Sequence, residues 1–542
     1  MKIIILVSLS FILFFSSAYS NVFDVGPSRI YTSPSMVMAI VNDGDTVNIE
    51  AGVYPGDVGV WTKNNLLIRG IGDYAHLKAE GQSAQQKAIW VITGNNTTIE
   101  FVEFSECTVP DRNGAGIRQE GSGLTIRHCY FHHNEDGILA GDNPNSDIII
   151  ENTEFAYNGF GDGYSHNLYI NHVRSLKFRF CYSHHAVIGH NFKSRAYNNY
   201  IEYNRIMDEN TGNSSMLIDL PNGGNNYIIG NLLMKGVNAE NRRLITFGTE
   251  GLSNPENNLY VINNTMVNLR NTGTFIFIQT GTSEAKVINN IFSGNGATLE
   301  NAIQGIADTL NNLYFPDPTA IMFADLENFD YHLTDLSPAI NSGTNPGFGL
   351  GYNLTPSIEY IHLCSSVVRN TIDEIDAGGY EYAPLQVLPS ISVSVKALLQ
   401  NYWNGITQRV TSAIVELRTG EDFYNSTLSQ RQAGIVNSNG LVSVFFSNIN
   451  IGEYWLVLRA SSHLPIVSAN RISVVEGTSI NYDFSTSQQQ ALNGTGLIQQ
   501  ENVWVVMNGD VDGNLNIDAL DYSPTRNNFG WGSEVSEPEP EP

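Results

Sequence analysis

The chain has 542 residues and a formal net charge of −26. Hydrophobic residues make up 42% of it, which excludes a disordered chain and predicts several domains with cores of their own. The strong negative charge argues against a nucleic-acid partner, because phosphate backbones bind basic surfaces. Four cysteines are too few to hold a chain of this length together by disulfides: Cys107, Cys129, Cys181 and Cys364.

The first twenty residues have the pattern of a targeting signal. Residues 1–20 combine an early lysine, a long apolar run and small residues at Ala18 and Ser20, which is typical of a cleaved secretory signal. No later apolar stretch approaches the roughly 20 residues that a membrane-spanning helix needs. We therefore expect a secreted, extracellular monomer without a transmembrane segment, either free or associated with a cell surface.

Repeated units fill the chain from about residue 45 to residue 300. Each unit holds apolar alternation over a few residues, which is typical of strands. The units recur at irregular steps of roughly 25 residues, as expected for the coils of a solenoid with variable loops. Their alignment superposes a column that is mostly asparagine, which we interpret as an internal ladder that satisfies backbone groups at a bend: His128, Asn152, Phe180, Asn204, Asn231, Asn264 and Asn290.

These units resemble the coils of the right-handed parallel β-helix of pectate-lyase-like proteins. DGDTVNIEAGVY, residues 43–54, is similar to the opening coil of that fold, and SPAINSG with DAGGYEY, residues 337–343 and 376–382, is similar to its closing segment. The resemblance implies an all-β chain with a right-handed parallel β-helix of about ten coils over residues 21–384. It leaves the function open, because this fold hosts lyases, hydrolases, epimerases and non-catalytic proteins.

Two cysteines fall in one column of this solenoid. Cys129 and Cys181 lie two coils apart, and stacked strands are about 4.8 Å apart. Their separation of roughly 9.6 Å exceeds the ~7 Å limit for a disulfide. We expect both thiols to be free and buried.

After residue 384 the pattern changes to longer alternating strands. We predict a small β-sandwich over residues 385–487, which resembles the accessory modules of secreted bacterial carbohydrate-active proteins. The aromatic residues of YWNG and YWLVLR, residues 402–405 and 454–459, serve either as core packing or as a platform for sugars.

The segment over residues 488–530 contains GDVDGNLNIDALD, which has the spacing of a calcium loop. It resembles a dockerin repeat, although Leu515 replaces the usual glycine of the loop. One repeat is present where a cohesin-binding dockerin has two, so we expect calcium binding rather than docking to a cohesin. Residues 531–542 form an acidic tail rich in Pro and Glu. The predicted calcium ligands are Asp510, Asp512, Asn514, Asn516, Asp518 and Asp521.

A basic cluster lies in GHNFKSRA, residues 189–196. Aligned strands of successive coils put one set of residues inside the solenoid and the residues between them outside, because side chains alternate along a strand. The outward face suits an extended polysaccharide with carboxylates or sulfates. The inward set is Leu168, Phe192, Ile218 and Ile245, and the outward set is Tyr169, Lys193, Asp219 and Thr246, with Asn171, Arg195, Arg118 and Glu120 on the same face. His166 is a further candidate for substrate binding, together with Tyr169, Asn171, Asp219 and Arg118.

Cleavage of a uronic-acid polymer by β-elimination requires a group that neutralises the carboxylate, a base, and an acid for the leaving oxygen. We assign Lys193 as the base and Arg195 to the carboxylate, with His190 or Tyr169 as the acid. Arg195 favours the neutral form of Lys193 by repulsion and Asp219 opposes it. The sequence leaves this balance open.

The run KSRAYNNYIEYN, residues 193–204, resembles a segment of β-helical lyases of the chondroitinase B and alginate lyase class. That resemblance implies Lys193 as base and a calcium ion on the substrate carboxylate. Those lyases carry glutamates upstream of the lysine, whereas His190 and Phe192 stand here, so a calcium ion in the groove is left open. We predict no metal site from His184, His185 and His190, because no carboxylate or cysteine follows at a supporting spacing.

Two other functions stay open. A glycoside hydrolase needs two groove carboxylates, and the candidates are scattered along the sequence. A secreted β-helix that binds glycans without cleaving them would need neither a base nor an acid. The candidate acids for hydrolysis are Asp162, Asp219, Glu240 and Glu250.

Overall fold

The structure is a computed structural model that describes residues 20–383, 391–447, 449–460, 463–475 and 478–507. The chain separates into two compact units, Met1–Pro384 and Leu385–Pro542. The predicted secretory signal, except Ser20, lies outside the described residues. So do the predicted calcium loop and the acidic tail.

The first unit is an all-β parallel solenoid of about ten coils, with three strands in a typical coil. The first strand of each coil pairs in parallel with its counterparts in the neighbouring coils. This ten-stranded sheet consists of Gly59–Trp61, Ala88–Ile92, Ala115–Gln119, Asp136–Ala140, Leu168–Ile170, Phe192–Ser194, Ile218–Leu220, Arg243–Phe247, Thr274–Ile278 and Ile303–Gln304.

The second and third strands of the coils form two further ladders, which the long strands Thr46–Pro55 and Leu67–Lys78 join into one 21-stranded sheet. The bend between the two strands of a coil contains a residue in the left-handed region, such as His128 at φ 49°. The 21 strands are Val22–Val25, Thr46–Pro55, Leu67–Lys78, Thr97–Glu100, Val102–Ser105, Leu124–Arg127, Tyr130–His132, Asn143–Glu151, Glu154–Ala156, Val173–Arg179, Tyr182–His184, Asn198–Glu202, Arg205–Met207, Asn225–Ile229, Leu232–Lys235, Asn258–Ile262, Thr265–Asn268, Glu284–Ile288, Ile291–Gly294, Asp308–Leu310 and Leu313–Phe315.

The interior of the solenoid is a continuous column of apolar side chains. Phe131 stacks between Phe104 and Phe155, with ring centroids 4.9 and 5.0 Å away. The four residues predicted to face inward from the ten-stranded sheet are fully buried, which confirms the alternation expected there: Leu168, Phe192, Ile218 and Ile245.

The asparagine ladder forms, but three of the seven residues in the predicted column lie one residue away from it. Leu176 pairs with Asn199, not with Tyr200 as the alignment assumed. His128, Asn152 and Phe180 are therefore bend residues, and Cys129, Thr153 and Cys181 occupy the ladder column. The slip arises because Asn199 points inward with its amide bonded to Ala196 and Asn226, while Tyr200 points outward. The asparagines of the ladder are Asn204, Asn231, Asn264, Asn290 and Asn312.

The two cysteines behave as predicted. The strand Glu154–Ala156 pairs with strands on both sides, one beginning after Cys129 and one after Cys181, so two coils separate the thiols. Both are buried and free.

Residues 316–383 close the first unit against the later coils. Three antiparallel hairpins build this segment, together with a 3-10 helix at Pro318–Ile321; another 3-10 helix, Pro34–Met36, lies near the start of the described residues. Arg369 donates from Nε to Glu381 at 2.8 Å, and Asn341 N–H donates to Asp376 at 2.6 Å. The hairpin strands are Phe323–Asp325 with Asp330–Leu333, Phe348–Gly349 with Tyr352–Asn353, and Ile358–Ile361 with Ser365–Val368.

Where the structure describes it, the second unit contains three small sheets whose apolar faces share one core. Tyr454 and Trp455 are 2% and 8% exposed, so these two aromatic rings serve as core packing and offer no platform for sugars. The strands are Ile391–Lys396, Leu398–Leu399, Thr411–Thr419, Thr427–Val436, Leu441–Phe446, Gly452–Ala460, Ile466–Val467, Ile472–Val474, Ser479–Asp483, Leu497–Gln500 and Val503–Val506, with 3-10 helices at Phe423–Asn425, Gln488–Gln490 and Leu492–Gly494.

In the part of the chain that the structure describes, no helix combines the length and apolar character that crossing a membrane requires.

Candidate functional site

The candidate site lies on the outer face of the ten-stranded sheet. Tyr169, Lys193, Asp219 and Thr246 occupy one column, since each pairs with the next in the strand register. The predicted register of these strands is confirmed. Arg118 belongs to the same column, but Leu139 stands between it and Tyr169.

Lys193 and Arg195 lie in an ion-pair network with two carboxylates. Lys193 Nζ is 3.7 Å from Asp219 Oδ2 and 3.5 Å from Glu250 Oε1. Arg195 Nη2 is 2.8 Å from Glu250 Oε2. The Lys193 and Arg195 side chains are 12% and 15% exposed, whereas Glu250 is 47% exposed. The basic cluster is therefore neutralised, and solvent reaches it at Glu250.

From the sequence alone, Glu250 is only one of the candidate acids for hydrolysis. It follows the strand Arg243–Phe247, and its backbone N–H donates to the carbonyl of Pro221 at 2.9 Å. That bond folds the loop of one coil back over the strands of two earlier coils. The alternation of inward and outward side chains could not predict this loop contact, because the alternation ends where the strand ends.

Tyr169 contacts both basic residues of this network. Its phenol oxygen accepts from Arg195 Nε at 2.9 Å, and Lys193 Nζ is 5.5 Å from its ring centroid. Arg195 also donates to the carboxamide oxygen of Asn222. These contacts hold the guanidinium in one orientation beside the phenol.

Two stacked histidines lie next to the network. The rings of His166 and His190 are 4.6 Å apart and nearly parallel. Gly189 allows this approach, because a Cβ there would lie 1.9 Å from the carbonyl oxygen of Ser165. His166 is only 1% exposed, so it supports His190 from below and has almost no surface for a substrate.

Hydrogen bonds determine which ring nitrogens carry protons. The backbone N–H of His190 donates to His166 Nδ1 at 3.0 Å, and that of Met216 donates to His190 Nδ1 at 3.1 Å. An amide N–H only donates, so each Nδ1 is an acceptor and each neutral ring carries its proton on Nε2. His190 Nε2 faces Asp219 Oδ2 at 3.6 Å.

The environments of the acidic and basic groups move their pKa values in different directions. Burial raises the pKa of Asp219, although Thr246 donates to its Oδ1 at 2.5 Å. Burial also acts to raise the pKa of Glu250, but the Arg195 hydrogen bond and the Lys193 charge outweigh it, and the net pKa is lowered. Burial, followed by the charge of Lys193, holds the pKa of His190 well below its usual range.

We predict that the histidine stack makes the protein less stable in acid. The pKa values of His166 and His190 are well below 6.5 in the folded chain, chiefly through burial. Below pH 6.5 the unfolded chain takes up protons first, so the free energy of unfolding falls by about 1.4 kcal/mol per pH unit for each histidine.

Buried carboxyls with raised pKa values, Asp136 and Asp219, act in the opposite direction, so a matched variant isolates the histidine effect. His190→Asn keeps an acceptor for the Met216 N–H and does not titrate. Urea titrations between pH 5 and 8 should show a shallower loss of stability in the variant. Equal slopes in both proteins would contradict the prediction.

The remaining predicted residues lie at the edges of the site. Arg118 Nε is 3.6 Å from Glu120 Oε1, two strands away from Tyr169. Asn171 is half-buried, and its carboxamide oxygen accepts from the backbone N–H of His172 at 2.9 Å. His184 ends the strand Tyr182–His184, which belongs to the 21-stranded sheet and not to the sheet that carries the site.

The oxygen donors around Lys193 do not fit a resident calcium ion. Calcium takes six to eight oxygen ligands, and the two carboxylates here, Asp219 and Glu250, already pair with Lys193 and Arg195. A cation between them would face two positive side chains at close range. No step of the chemistry proposed below uses calcium.

One family model agrees with the fold. Residues 61–233 match the family described as a right handed beta helix region. No curated protein matches the chain significantly. Among solved structures, pectate lyase Pel9A is 17% identical with a TM-score of 0.47, covering 67% of this chain and 97% of that one. The ORF18 protein of Geobacillus virus E2 is 11% identical with a TM-score of 0.31, covering 89% and 79%. A point mutant of the PL6 family alginate lyase AlyGC is 12% identical with a TM-score of 0.29, covering 65% and 55%.

Proposed function

We propose that the protein binds an acidic polysaccharide on the outer face of the ten-stranded sheet and cleaves it by β-elimination. The observation that supports this is the convergence of an amine, a guanidinium and a phenol. Lys193 Nζ is 5.5 Å from the Tyr169 ring centroid, and Arg195 donates to the Tyr169 oxygen at 2.9 Å. These are the three kinds of group that the reaction requires.

The carboxylate of a uronic acid would bind at Arg195. It would replace Glu250, which is the exposed partner of the guanidinium and is carried by a loop rather than by a strand. Displacement of Glu250 also frees Lys193 Nζ from one of its two carboxylate contacts.

In the reaction, Lys193 Nζ takes the proton from the carbon beside the substrate carboxylate. Arg195 stabilises the negative charge that develops on that carboxylate. The electron pair forms a carbon–carbon double bond and the glycosidic bond breaks, and Tyr169 donates its phenol proton to the leaving oxygen. The neutral Nε2–H of His190 is a weak acid and faces Asp219, so we assign His190 to positioning Asp219 rather than to proton transfer.

A second candidate, hydrolysis of a glycosidic bond, is favoured by one observation. Asp219 and Glu250 lie within 3.7 and 3.5 Å of the same Lys193 nitrogen, so these oxygens are at most about 7 Å apart, within the range of catalytic carboxylate pairs. The pKa of Asp219 is raised and that of Glu250 is lowered. Such divergence is the usual mark of an acid and a base.

One paired assay tests the proposal. The full chain is incubated with alginate, pectate, chondroitin sulfate and heparin, and each reaction is read both for the ultraviolet absorbance of an unsaturated product and for new reducing ends. Absorbance together with new ends supports the lyase. New ends without absorbance would replace it by the hydrolase, and glycan binding with neither signal would leave a non-catalytic binding protein.

The rest of the chain is proposed to serve this activity. We propose that the protein is secreted, that the second unit is a β-sandwich accessory module, and that a dockerin-like loop at residues 510–521 binds calcium. Calcium binding would stabilise the conformation that assembles its ligands.

A further inference from the structure

A second cluster lies on the 21-stranded sheet, on a different face of the solenoid from Lys193. His76 and Glu103 pair across neighbouring strands, and His132 lies on the strand after that, two residues further along. Each of the three residues stands next to an inward-pointing, buried residue of the same strand: Leu77, Phe104 and Phe131. The three polar side chains therefore project outward from three consecutive strands.

The three side chains direct their ligand atoms at one point. His132 Nε2 is 2.8 Å and His76 Nε2 is 3.5 Å from the same oxygen, Glu103 Oε1. All three ligand atoms lie within 4.8 Å of one another, the one such group of three His, Cys, Asp or Glu among the described residues. In a tetrahedral zinc site, with bonds of about 2.0–2.2 Å, ligand atoms are about 3.3–3.5 Å apart.

We propose that His76, Glu103 and His132 bind a zinc ion with a fourth position open to water. Two imidazoles and one carboxylate are a zinc ligand set, whereas calcium prefers oxygen ligands alone. The side chains are 20%, 20% and 15% exposed, so an ion reaches them from solvent. The bound ion would tie three successive coils together.

The neighbours of the cluster orient its histidines. His132 Nδ1 lies 2.8 Å from His133 Nδ1, and the His132 ring stacks on Tyr130 at 4.4 Å. A metal-binding histidine commonly donates its other ring N–H to a hydrogen-bond acceptor, and His133 Nδ1 can serve as that acceptor for His132. His76 Nε2 also has Ser105 Oγ at 2.7 Å, a contact that this nitrogen gives up when it binds the ion.

The chain repeats this arrangement without the third ligand. Two coils further on, His184 Nε2 is 3.1 Å from Glu154 Oε1, and His184 Nδ1 is 2.7 Å from His185 Nδ1. Tyr130 stands on the strand before Glu154, where His76 stands before Glu103. The second pair therefore lacks one imidazole and serves as an internal control.

Zinc titration of the full chain, in calcium-saturated buffer after chelator treatment, tests the site. We expect one equivalent of zinc in the wild type, and at least tenfold weaker binding in His76→Gln and in Glu103→Gln. His184→Gln should bind zinc like the wild type. Circular dichroism without zinc checks that every variant is folded.

Cobalt(II) gives a second readout, which reports the coordination geometry of the bound ion. The wild type and His184→Gln should show the visible absorption of four-coordinate cobalt, and His76→Gln should not. The proposal would be overturned if the wild type did not bind zinc, or if every variant bound zinc as strongly as the wild type does. Loss in His184→Gln alone would overturn it as well, because it would place the ion at the other pair.

Discussion

Lys193→Ala is expected to lower the rate of formation of the unsaturated product by about 10²–10⁴-fold, the usual contribution of a general base. Lys193 is the one amine that contacts both Asp219 and Glu250 among the described residues. Removal of its side chain leaves Arg195 as the cation over the Tyr169 ring, and arginine does not give up its proton at neutral pH. The measurement is the initial rate of absorbance increase on whichever polymer the paired assay identifies.

Lys193→Arg separates catalysis from binding. Arginine keeps the positive charge but does not give up its proton at neutral pH, so activity should be lost while the affinity for the uncleaved polymer is retained. Lys177→Ala is the matched control, because this lysine lies on the 21-stranded sheet over the ring of Tyr200. Full lyase activity in Lys193→Ala would show that another group is the base.

Asn231→Leu is expected to destabilise the solenoid by about 3–5 kcal/mol. Asn231 is fully buried, its Oδ1 accepts from the backbone N–H of Asn204 at 2.9 Å, and its Nδ2 donates to the carbonyl of Ile201 at 2.8 Å. Leucine has a similar volume but leaves both backbone groups without a partner, at about 1–3 kcal/mol each, and removes bonds to two other asparagines. Urea unfolding followed by circular dichroism measures the loss.

Two further variants test whether the lost hydrogen bonds cause this loss of stability. Asn231→Thr should recover part of the stability, because Thr153 occupies the same column and its Oγ1 accepts from the Cys129 N–H at 3.3 Å. Asn238→Leu changes an exposed asparagine and should stay within about 0.5 kcal/mol of the wild type. Equal stability of Asn231→Leu and the wild type would refute the view that the ladder contributes through buried hydrogen bonds.

The local pattern of the sequence determined the coil architecture and the outward column of the site. Period-2 alternation is a local property of the chain, so it placed Phe192 inside and Lys193 outside before any contact was known. The alternation predicted the wrong register at a strand in which an inward-pointing residue is polar. Asn199 points into the solenoid because Asn226 and Ala196 satisfy its amide, and the alignment slipped by one residue at that strand.

Only the tertiary structure decided which groups meet. Glu250 reaches Lys193 across 57 residues of sequence because the loop of one coil folds back over two earlier coils. His76, Glu103 and His132 come from three coils, and no spacing within one segment brings them together. In a solenoid, the stacking of coils converts distant residues into neighbours, and loop lengths set which ones. Loop conformation depends on packing, which a repeat alignment does not contain.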